Sequence, residues 1–565
     1  MATQVFSTVL TTAQTLAALD TGVVTSTGII VAGGPGAIFM NGGSKLQVMG
    51  TAIGTEGAGI LFVTGSSPTV LIGAGGSVSS LSGSVAAISG VVSGFTTIQN
   101  HGQISGAAAI NINAAAATSV VFIENSGGIE VGGRSFPIAI NMVYSGSGLG
   151  HLLNTGTISV AGPGKAINLT GTQAFSIVNS GLIVGAINMS TNNDFLTNTG
   201  TIIGSIFLGN GNNIFINRGV VTGTVTGGTG SDTYRVFDAD IELADAGGLD
   251  TVFAACDFRL QSSIEFLQLI GVTGLVGIGN GLANRLTGDV GDDTLRGGDG
   301  DDTQQGSDGD NRLFGGRGRD FLFSGQDDEL LHGGQDDDSL VFTGGNDTFV
   351  GGGGIDAANF SLLSLAAQVN LQTGIATTVL GEQTMLSGVE DLVGSFRDDS
   401  MIGNGVANNV QGLPGNDTIA GGNGNDSLDG GDGDDVLVGG GGDDTVQGRS
   451  DADIVSGGTG ADSFAFFGTG DSDGITATDR ITDFVLGQDL IDLSLVDADA
   501  AAGLDQAFIF VGSAAFSGVA GEVRAVTDAV TQTTRIEVAL AGSTLFSMAI
   551  VLDGEMVLGA ADFVL

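Results

Sequence analysis

The sequence has few of the residues that stabilise small secreted folds or build metalloenzymes. Its 565 residues include one cysteine, three histidines, five prolines and no tryptophan. One cysteine excludes an internal disulfide framework, and so few Cys and His side chains exclude a zinc site. The opening residues, MATQVFSTVLTTAQ, predict no Sec-type signal, and no apolar run reaches the roughly 20 residues of a membrane-spanning helix.

Basic residues are also scarce, and the charge is unevenly placed. Lys and Arg number 16 against 61 Asp and Glu, which gives a formal net charge of -45. Residues 1–226 hold five acids and four bases, so the rest of the chain carries -44 of that charge. Such a field repels nucleic acid and anionic membranes and attracts cations. The composition therefore excludes nucleic acid as a partner.

Two short phrases alternate between residues 95 and 226. One is a β-like run such as AININ or IAINM, and the other is an apolar run that ends in Asn-x-Gly-x-Ile/Val. Short alternating strands with glycine turns at a period near 20 predict a parallel β-solenoid over residues 1–226. Asparagines at one turn of each coil can hydrogen-bond from coil to coil. These asparagines are Asn100, Asn125, Asn154, Asn179, Asn198 and Asn217.

The solenoid sequence favours a scaffold or binding surface over a catalyst. Parallel β-helices that act on polysaccharides gather acidic and basic groups on one face, and an acid–base site needs such a cluster. Here the charged residues are scattered, and the only histidines are His101 and His151. A polysaccharide lyase or epimerase remains the alternative, with Arg134, Lys165 and Arg218 as the basic residues to test.

Glycine and aspartate recur every nine residues over 279–359 and 394–465, in the form G-G-x-G-x-D-x-U-x with U apolar. GGNGNDSLD is one copy, and an isolated copy, GGTGSDTYR, occupies 227–235. The pattern resembles the RTX (repeats-in-toxin, hemolysin-type) calcium-binding repeat. In that family, consecutive repeats form opposite half-turns of a parallel β-roll that holds calcium between turns.

The resemblance implies that the position-six aspartates bind Ca²⁺ together with carbonyl oxygens, a mixed oxygen set that calcium prefers. Glycines permit the tight backbone that turns the carbonyls inward. The implied ligands are Asp232, Asp293, Asp302, Asp320, Asp338, Asp347, Asp356, Asp399, Asp417, Asp426, Asp435, Asp444, Asp453 and Asp462. Position six is instead Asn284, Asn311, Glu329 and Asn408 in four copies, and Gln304 and Ala358 replace the apolar residue at position eight.

The carboxyl end carries DRITDF, GQDLIDLS, FSGVAGEVR and the terminal DFVL. These phrases resemble the C-terminal domain of serralysin-type proteases. The resemblance implies calcium-dependent folding and an uncleaved type I secretion signal that includes Asp562, Phe563, Val564 and Leu565. The serralysin zinc motif H-E-x-x-H is absent, and His332 has no partner histidine four residues away, which excludes that proteolysis.

The predicted fold is all-β, with an N-terminal β-solenoid, RTX β-rolls and a β-rich secretion domain. The predicted domains are the solenoid at 1–226, a lead-in module at 227–278, the first roll at 279–359, a β insert at 360–393, the second roll at 394–465 and the C-terminal domain at 466–565.

The predicted function is that of a non-catalytic calcium-binding protein, secreted by or displayed on a Gram-negative bacterium, with a surface-layer or adhesin-like role. Its expected partners are calcium, the type I secretion machinery, and copies of itself or a surface polysaccharide. A pore-forming toxin is disfavoured because the sequence has no long apolar helical segment.

Overall fold

The structure is a computed structural model that describes residues 2–17, 20–116, 118–132, 135, 137–145, 148–472, 474, 477–499, 506–519 and 521–565. The chain divides into two compact units, residues 1–270 and 271–565. Within the described residues, every regular element is a strand except the short 3₁₀ turn Ala560–Asp562. The all-β fold predicted from the sequence is confirmed. In this part of the chain, no helix is long and apolar enough to cross a bilayer.

The first unit is a stack of coils with three parallel sheets. The first sheet contains Thr3–Phe6, Thr21–Val24, Lys45–Val48, Thr69–Ile72, Phe95–Asn100, Val120–Asn125, Leu149–Asn154, Phe175–Asn179, Phe195–Asn198, Ile214–Asn217, Thr233–Val236, Thr251–Ala254 and Phe266–Leu269. The second contains Val9–Leu10, Ile29–Ala32, Thr51–Gly54, Ser77–Ser80, Gln103–Gly106, Gly128–Val131, Thr157–Val160, Leu182–Val184, Thr201–Ile203 and Val220–Val221. The third contains Gln14–Leu16, Gly36–Met40, Ala58–Ser66, Ile88–Val92, Ala108–Ala114, Ile138–Tyr144, Lys165–Thr170, Ala186–Asn188, Ile206–Phe207, Val225–Thr226 and Leu243–Ala244, while Phe258–Arg259 is a further short strand.

Alternating apolar residues fill the interior of this stack. Along the first sheet, one row of side chains pairs in exact parallel register and is fully buried. The row consists of Ile98, Ile123, Leu152, Ile177, Leu196, Phe215 and Tyr234. Since each coil covers the apolar row of its neighbour, burial is continuous along the unit, as in other solenoids.

The predicted asparagine ladder is confirmed. The side-chain Nδ2 of Asn100 donates to Oδ1 of Asn125 at 2.7 Å, and the same bond repeats upward at 2.7–2.8 Å. The six members are Asn100, Asn125, Asn154, Asn179, Asn198 and Asn217, all at most 1% exposed. An amide carries both a donor and an acceptor, so the ladder satisfies itself without an ion.

The stack of parallel strands continues past residue 226, the predicted limit of the solenoid. Ile214–Asn217 pairs with Thr233–Val236, which pairs with Thr251–Ala254, and Phe266–Leu269 follows. The isolated nonapeptide at 227–235 therefore lies within this first unit.

The second unit contains two sheets. One is wholly parallel and contains Arg285–Thr287, Thr303–Gln305, Phe321–Phe323, Ser339–Val341, Ala357–Asn359, Asp391–Val393, Asn409–Gln411, Ser427–Asp432, Thr445–Ser450, Ser463–Ala465, Leu490–Asp492 and Phe563–Val564. The other contains Val276–Ile278, Thr294–Asp299, Arg312–Arg317, Leu330–Gln335, Thr348–Gly353, Ala367–Asn370, Ile375–Thr378, Gln383–Ser387, Ser400–Ile402, Thr418–Asn423, Val436–Gly441, Ile454–Thr459, Arg480–Ile481, Ile509–Phe510, Glu522–Asp528, Thr533–Ala539 and Met548–Asp553.

Consecutive nonapeptides alternate between these two sheets. Each strand therefore pairs with the strand that lies two repeats further along the chain. Leu295 pairs with Leu313, and Leu313 pairs with Leu331, all fully buried at position eight. Gln304 occupies the same kind of position, is fully buried, and donates from Nε2 to the carbonyl oxygen of Phe314 at 2.6 Å.

The segment between the arrays adds an antiparallel insertion to one sheet only. Gln383–Ser387 pairs in parallel with Thr348–Gly353 of the first array, and Ala367–Asn370 pairs in parallel with Ser400–Ile402 of the second. Ile375–Thr378 joins the two inserted strands with antiparallel pairing on both sides. In the other sheet, Asp391–Val393 alone bridges the two arrays.

Replacing Asn154 by alanine tests the asparagine ladder. The change removes the donor to Oδ1 of Asn179 and one of the two acceptors of Nδ2 of Asn125, which keeps the carbonyl oxygen of Thr157 at 3.2 Å. Since an unsatisfied buried polar group costs about 1–3 kcal/mol, we expect a loss of about 1–3 kcal/mol in the free energy of unfolding of the solenoid. Urea unfolding followed by far-UV circular dichroism measures it. The control is Asn210→Ala at an exposed bend of the same unit, and an equal effect of both changes would contradict the ladder's role.

Candidate calcium sites

All fourteen aspartates predicted as calcium ligands are buried. Each is at most 3% exposed, although it sits in a glycine-rich segment that carries many exposed acids. The strand that follows each aspartate explains this burial, because the residue two positions later points into the core and is apolar in every case except Gln304. Asp435, for example, lies two positions before the fully buried Leu437.

In most array repeats, one oxygen of the carboxylate accepts a backbone N–H from the position-six residue two repeats earlier. Asp293 and Asp399, at the start of the arrays, accept instead from Leu275 at 2.7 Å and Ala367 at 2.6 Å. The N–H of Asp417 donates to Oδ1 of Asp435 at 2.6 Å, and the N–H of Asp435 donates to Oδ1 of Asp453 at 2.8 Å. The same bond links Asp426 to Asp444 and Asp444 to Asp462 along the other sheet. The aspartates therefore form ladders that run along both sides of the rolls.

The second oxygen of most of these carboxylates is buried and has no hydrogen-bond partner. This holds for Oδ2 of Asp302, Asp320, Asp338, Asp347, Asp356, Asp417, Asp426, Asp435, Asp444, Asp453 and Asp462. A buried charged oxygen without a partner costs several kcal/mol unless a cation compensates it. The unpaired oxygens therefore fit the cation that RTX repeats bind.

Glycine at position one keeps the space beside the unpaired oxygen open in all of these repeats except that of Asp347, which begins with Phe342. A methyl group added at Gly430 would collide with Oδ2 of Asp435 and with the carbonyl oxygen of Gly448. A carboxylate and a carbonyl oxygen thus converge on one small space, which matches the mixed oxygen donors of a calcium site.

Burial holds these carboxyl groups toward their protonated form when no cation is present. Loss of hydration, together with the charges of the neighbouring Asp453 and Asp417, raises the pKa of Asp435 to about 8. Burial likewise raises the pKa of Asp302 and Asp320 to about 7, while the backbone N–H that each accepts acts in the opposite direction.

Where asparagine replaces aspartate at position six, the side-chain amide forms a hydrogen bond with a backbone carbonyl oxygen. Nδ2 of Asn311 donates to the carbonyl oxygen of Gly309 at 2.7 Å, and Nδ2 of Asn408 donates to the carbonyl oxygen of Glu390 at 2.5 Å. Each amide thus places a hydrogen-bond donor, Nδ2, where an aspartate would place a second carboxylate oxygen. Glu329 also has one paired and one unpartnered buried oxygen, but its Oε2 accepts the N–H of Gly325 in its own repeat rather than one from two repeats earlier.

Three acids beyond the nonapeptides extend the ladders, and the repeat pattern missed them. The N–H of Asp356 donates to Glu390 at 3.0 Å, that of Asp453 donates to Asp479 at 3.0 Å, and that of Asp462 donates to Asp489 at 3.1 Å. Asp479 and Asp489 lie in the DRITDF and GQDLIDLS phrases. Each acid precedes a buried apolar residue by two positions, which is the local signal that marks position six.

The terminal residues predicted as a secretion signal are tied into the second unit. Asp562 accepts N–H groups from Gly487 at 3.2 Å and Gly559 at 2.7 Å. Phe563 pairs with Ile491, and its ring lies 4.9 Å from that of Phe510. Val564 pairs with Asp492, and Leu565, the last residue of the chain, is half-buried.

Two of the three basic residues considered for catalysis are described by the structure, and they belong to different sheets. Lys165 begins a strand of the third sheet and donates to Oδ1 of Asn168 at 3.0 Å. Arg218 follows a strand of the first sheet and stacks over Phe237 at 4.3 Å. Arg134 lies outside the described residues.

The third sheet of the first unit carries a mainly apolar groove of about 580 Å³. Ile138, Lys165, Ala186 and Phe207 are among its lining residues. Beside it runs a short row of partly exposed amides, in which Nδ2 of Asn168 donates to Asn141 at 2.7 Å and Nδ2 of Asn141 donates to Asn111 at 2.8 Å.

Two protein families match parts of the chain. The RTX calcium-binding nonapeptide repeat matches residues 278–303 and 305–340, and the peptidase M10 serralysin C terminal matches residues 393–565. The chain therefore carries RTX repeats and a serralysin-type C-terminal domain, and the repeats bind calcium. These findings confirm the resemblances seen in the sequence and indicate a secreted, extracellular protein.

The remaining comparisons are weak. No curated protein matches the chain. Among solved structures, the AlgE6R3 subunit of the Azotobacter vinelandii mannuronan C5-epimerase is 25% identical, covers 30% of this chain and 78% of its own, and has a TM-score of 0.19. The AlgE6R2 subunit of the same enzyme is 24% identical, covers 32% and 94%, and has a TM-score of 0.20.

Acid should partly replace calcium in stabilising the arrays. The buried aspartates have raised pKa values in the folded state, so folding takes up protons, and the resulting stability is lost as pH rises through about 7. We expect the calcium-free chain to unfold at a higher urea concentration near pH 5 than near pH 8, as measured by far-UV circular dichroism. Greater stability near pH 8 would contradict the assignment of these pKa values to buried, unpaired carboxylates.

Substituting the glycine beside an unpaired oxygen should weaken calcium binding without removing a ligand carboxylate. In Gly430→Ala, the methyl group enters the space between Asp435 and Gly448. We expect a higher calcium concentration at the folding midpoint, measured by titration with circular dichroism. In the control Gly353→Ala, the methyl group meets no atom within 4 Å. An unchanged midpoint for Gly430→Ala would show that the cation lies elsewhere.

Proposed function

We propose that this chain is a secreted, non-catalytic structural protein that folds on extracellular calcium and then acts as a surface-layer or adhesin-like component. The observation that carries the calcium step is the set of buried aspartate oxygens that have no hydrogen-bond partner. We assign the fourteen position-six aspartates as the ligands, together with backbone carbonyl oxygens.

Calcium dependence follows from the charge of the arrays. Without a cation, folding forces carboxylates out of water and brings them within reach of one another, while the glycine-rich backbone loses much conformational entropy. A cation that binds only the folded roll stabilises it by mass action. Extracellular calcium sites are tuned to roughly 0.1–1 mM, so the rolls would remain open in a cytoplasm and close outside the cell.

Export by a type I machinery fits this order of events. The proposed signal, Asp562 to Leu565, is partly buried in the folded second unit, where Phe563 contacts Phe510. A transporter would therefore reach the signal before calcium folds the domain. Folding outside would then oppose return of the chain.

The first unit supplies what a surface component needs. Its core is a continuous apolar row and an amide ladder, both of which are complete without an ion. Its third sheet presents the apolar groove beside the Asn111–Asn141–Asn168 row, a combination of apolar area and fixed amides that suits a polysaccharide chain. Lys165 lines the groove, and its ammonium group donates a hydrogen bond to Oδ1 of Asn168.

Calcium titration of the full chain tests the proposal by light scattering and circular dichroism together. We expect the calcium-free chain to gain β structure on calcium addition and then to form large, reversible particles. Asp435→Asn should raise the calcium concentration required, because it removes a buried unpaired oxygen. Asp434→Asn removes the same charge from the adjacent exposed side chain and serves as the control.

Two results would contradict the proposal. If β structure in the arrays were the same in excess chelator, calcium would not drive folding. If the calcium-loaded chain stayed monomeric and released products from a uronic-acid polysaccharide, the lyase or epimerase alternative would hold instead.

A further inference from the structure

The outward side of the first sheet in the first unit carries many apolar side chains. Over the six strands from Phe95–Asn100 to Ile214–Asn217, the residues that do not enter the core stand in three columns, each in parallel register from coil to coil. We call this surface the first-sheet face. Its apolar members are Phe95, Val120 and Leu149 in the first column, Phe122, Phe195 and Ile214 in the second, and Leu153, Val178 and Ile216 in the third.

These side chains lie in solvent or at its edge. Phe95 is 62% exposed, Leu149 59% and Ile214 42%, and the other members are half-buried. The ring of Phe122 stacks on that of His151 with centroids 5.1 Å apart. Partial burial lowers the pKa of His151, so its ring adds no charge to the face at neutral pH.

The other two sheets present mainly polar residues from the same coils. Between residues 95 and 170, outward positions of the second and third sheets are filled by Gln103, Ser105, Glu130, Ser159, Asn111, Asn141 and Asn168. The apolar character therefore belongs to one side of the solenoid in these coils. Folding does not require it, because the interior row of each coil is already fully buried.

The face is large enough for a specific protein contact. Neighbouring strands lie about 4.8 Å apart, and alternate side chains of a strand about 6.6 Å apart, so six strands and three columns cover roughly 500 Å². Contiguous apolar areas of this size on a soluble protein mark interaction sites. Two copies of the face would together bury roughly 1,000 Å², which is where specific interfaces begin.

Two opposite charges stand near the ends of the third column. Glu124 lies in its second strand and accepts a hydrogen bond from Nε2 of Gln99 at 2.9 Å. Arg235 is exposed, pairs with Ile216 one coil beyond the six strands, and has its guanidinium 5.7 Å from the ring of Phe253. Between them the column holds Leu153, Val178, Thr197 and Ile216.

This arrangement complements itself. If a second copy lies on the face with its solenoid axis reversed, each column meets its own column in the opposite order. Glu124 then faces Arg235, and Leu153 faces Ile216. A twofold contact pairs one patch with the same patch of its partner, and sheets pack face to face in this way.

Charge also favours a second copy of this chain as the occupant. Residues 1–226 hold five acids and four bases, so this part of the chain does not repel its own copy. The acidic remainder of the chain does repel its own copy. A contact between copies is therefore best placed on the first unit.

We infer that the first-sheet face joins two copies of this chain in an antiparallel, twofold contact, with Glu124 of each copy facing Arg235 of the other. The inference rests on the proposed surface role for its biological purpose, and it names the face that such a component uses to assemble. The contact itself requires neither calcium nor folded arrays.

The first test measures the mass of the full chain by static light scattering in chelator, with about 150 mM salt to screen the acidic arrays. We expect twice the mass of one chain. Ile214→Asp should raise the dissociation constant at least about tenfold, because it places a carboxylate inside the contact. The matched control is Val220→Asp, which adds the same charge to the same coil but on the second sheet. Val220 is 49% exposed and Ile214 42%, and circular dichroism checks that both variants keep their β structure.

A charge reversal tests the orientation. Glu124→Arg and Arg235→Glu should each weaken the dimer several-fold, since each places like charges opposite one another. The double variant should recover the affinity to within about threefold of the unmodified chain, because the two charges again face each other. A double variant as weak as the two single effects combined would overturn the antiparallel contact.

Two further results would overturn the face as a contact between copies. One is a monomeric unmodified chain in chelator, which would result if a sugar chain rather than a second copy were stacked on Phe122 and Phe195. The other is equal dissociation by Ile214→Asp and Val220→Asp.

Calcium added to the same samples separates this inference from the proposed function. A dimer in chelator that gains no β structure on calcium addition would reject only the calcium-driven folding. Calcium-driven particles that grow alike in Ile214→Asp, Val220→Asp and the unmodified chain would reject only the first-sheet face.

Discussion

The rolls depend on the buried carboxylates of the arrays, which are only half satisfied by hydrogen bonds from the protein. In most array repeats, a buried aspartate accepts a backbone N–H through one oxygen and leaves the other without a protein partner. The first bond sets the register of the coils, and the second oxygen makes that register costly unless a cation is present. Secondary structure and ion binding in the rolls are therefore one event rather than two.

The asparagine ladder of the first unit also places a polar side chain in the interior of each coil, but it pairs amides instead of carboxylates. Asn154 accepts from Asn125 and donates to Asn179, so each amide is both acceptor and donor and the ladder closes on itself. A carboxylate cannot donate, and it leaves a charge that needs compensation. This difference contributes to the charge distribution of the chain, which is nearly neutral up to residue 226 and strongly acidic beyond it.

Sequence reasoning succeeded where a chemical pattern repeats at short range. The Asn-x-Gly-x-Ile/Val phrase predicted the Asn100 to Asn217 ladder, and the nonapeptide pattern found the buried aspartates. It missed Glu390, Asp479 and Asp489, because insertions of varying length separate them from the repeats and break the period. It also missed Asp250, which lies 18 residues after Asp232 and accepts its backbone N–H at 2.7 Å. The antiparallel insertion between the arrays likewise follows from pairing with both arrays at once, which no local pattern records.

Amide hydrogen exchange, resolved by segment and compared with and without calcium, tests the central claim most directly. The account predicts that amides of the arrays, such as the N–H of Asp417 bonded to Asp435, are protected only with calcium. It also predicts that strands of the asparagine ladder, such as Leu149–Asn154, are protected in both conditions. Equal protection of the arrays with and without calcium would contradict the claim that the unpaired carboxylate oxygens make folding of the rolls depend on a cation.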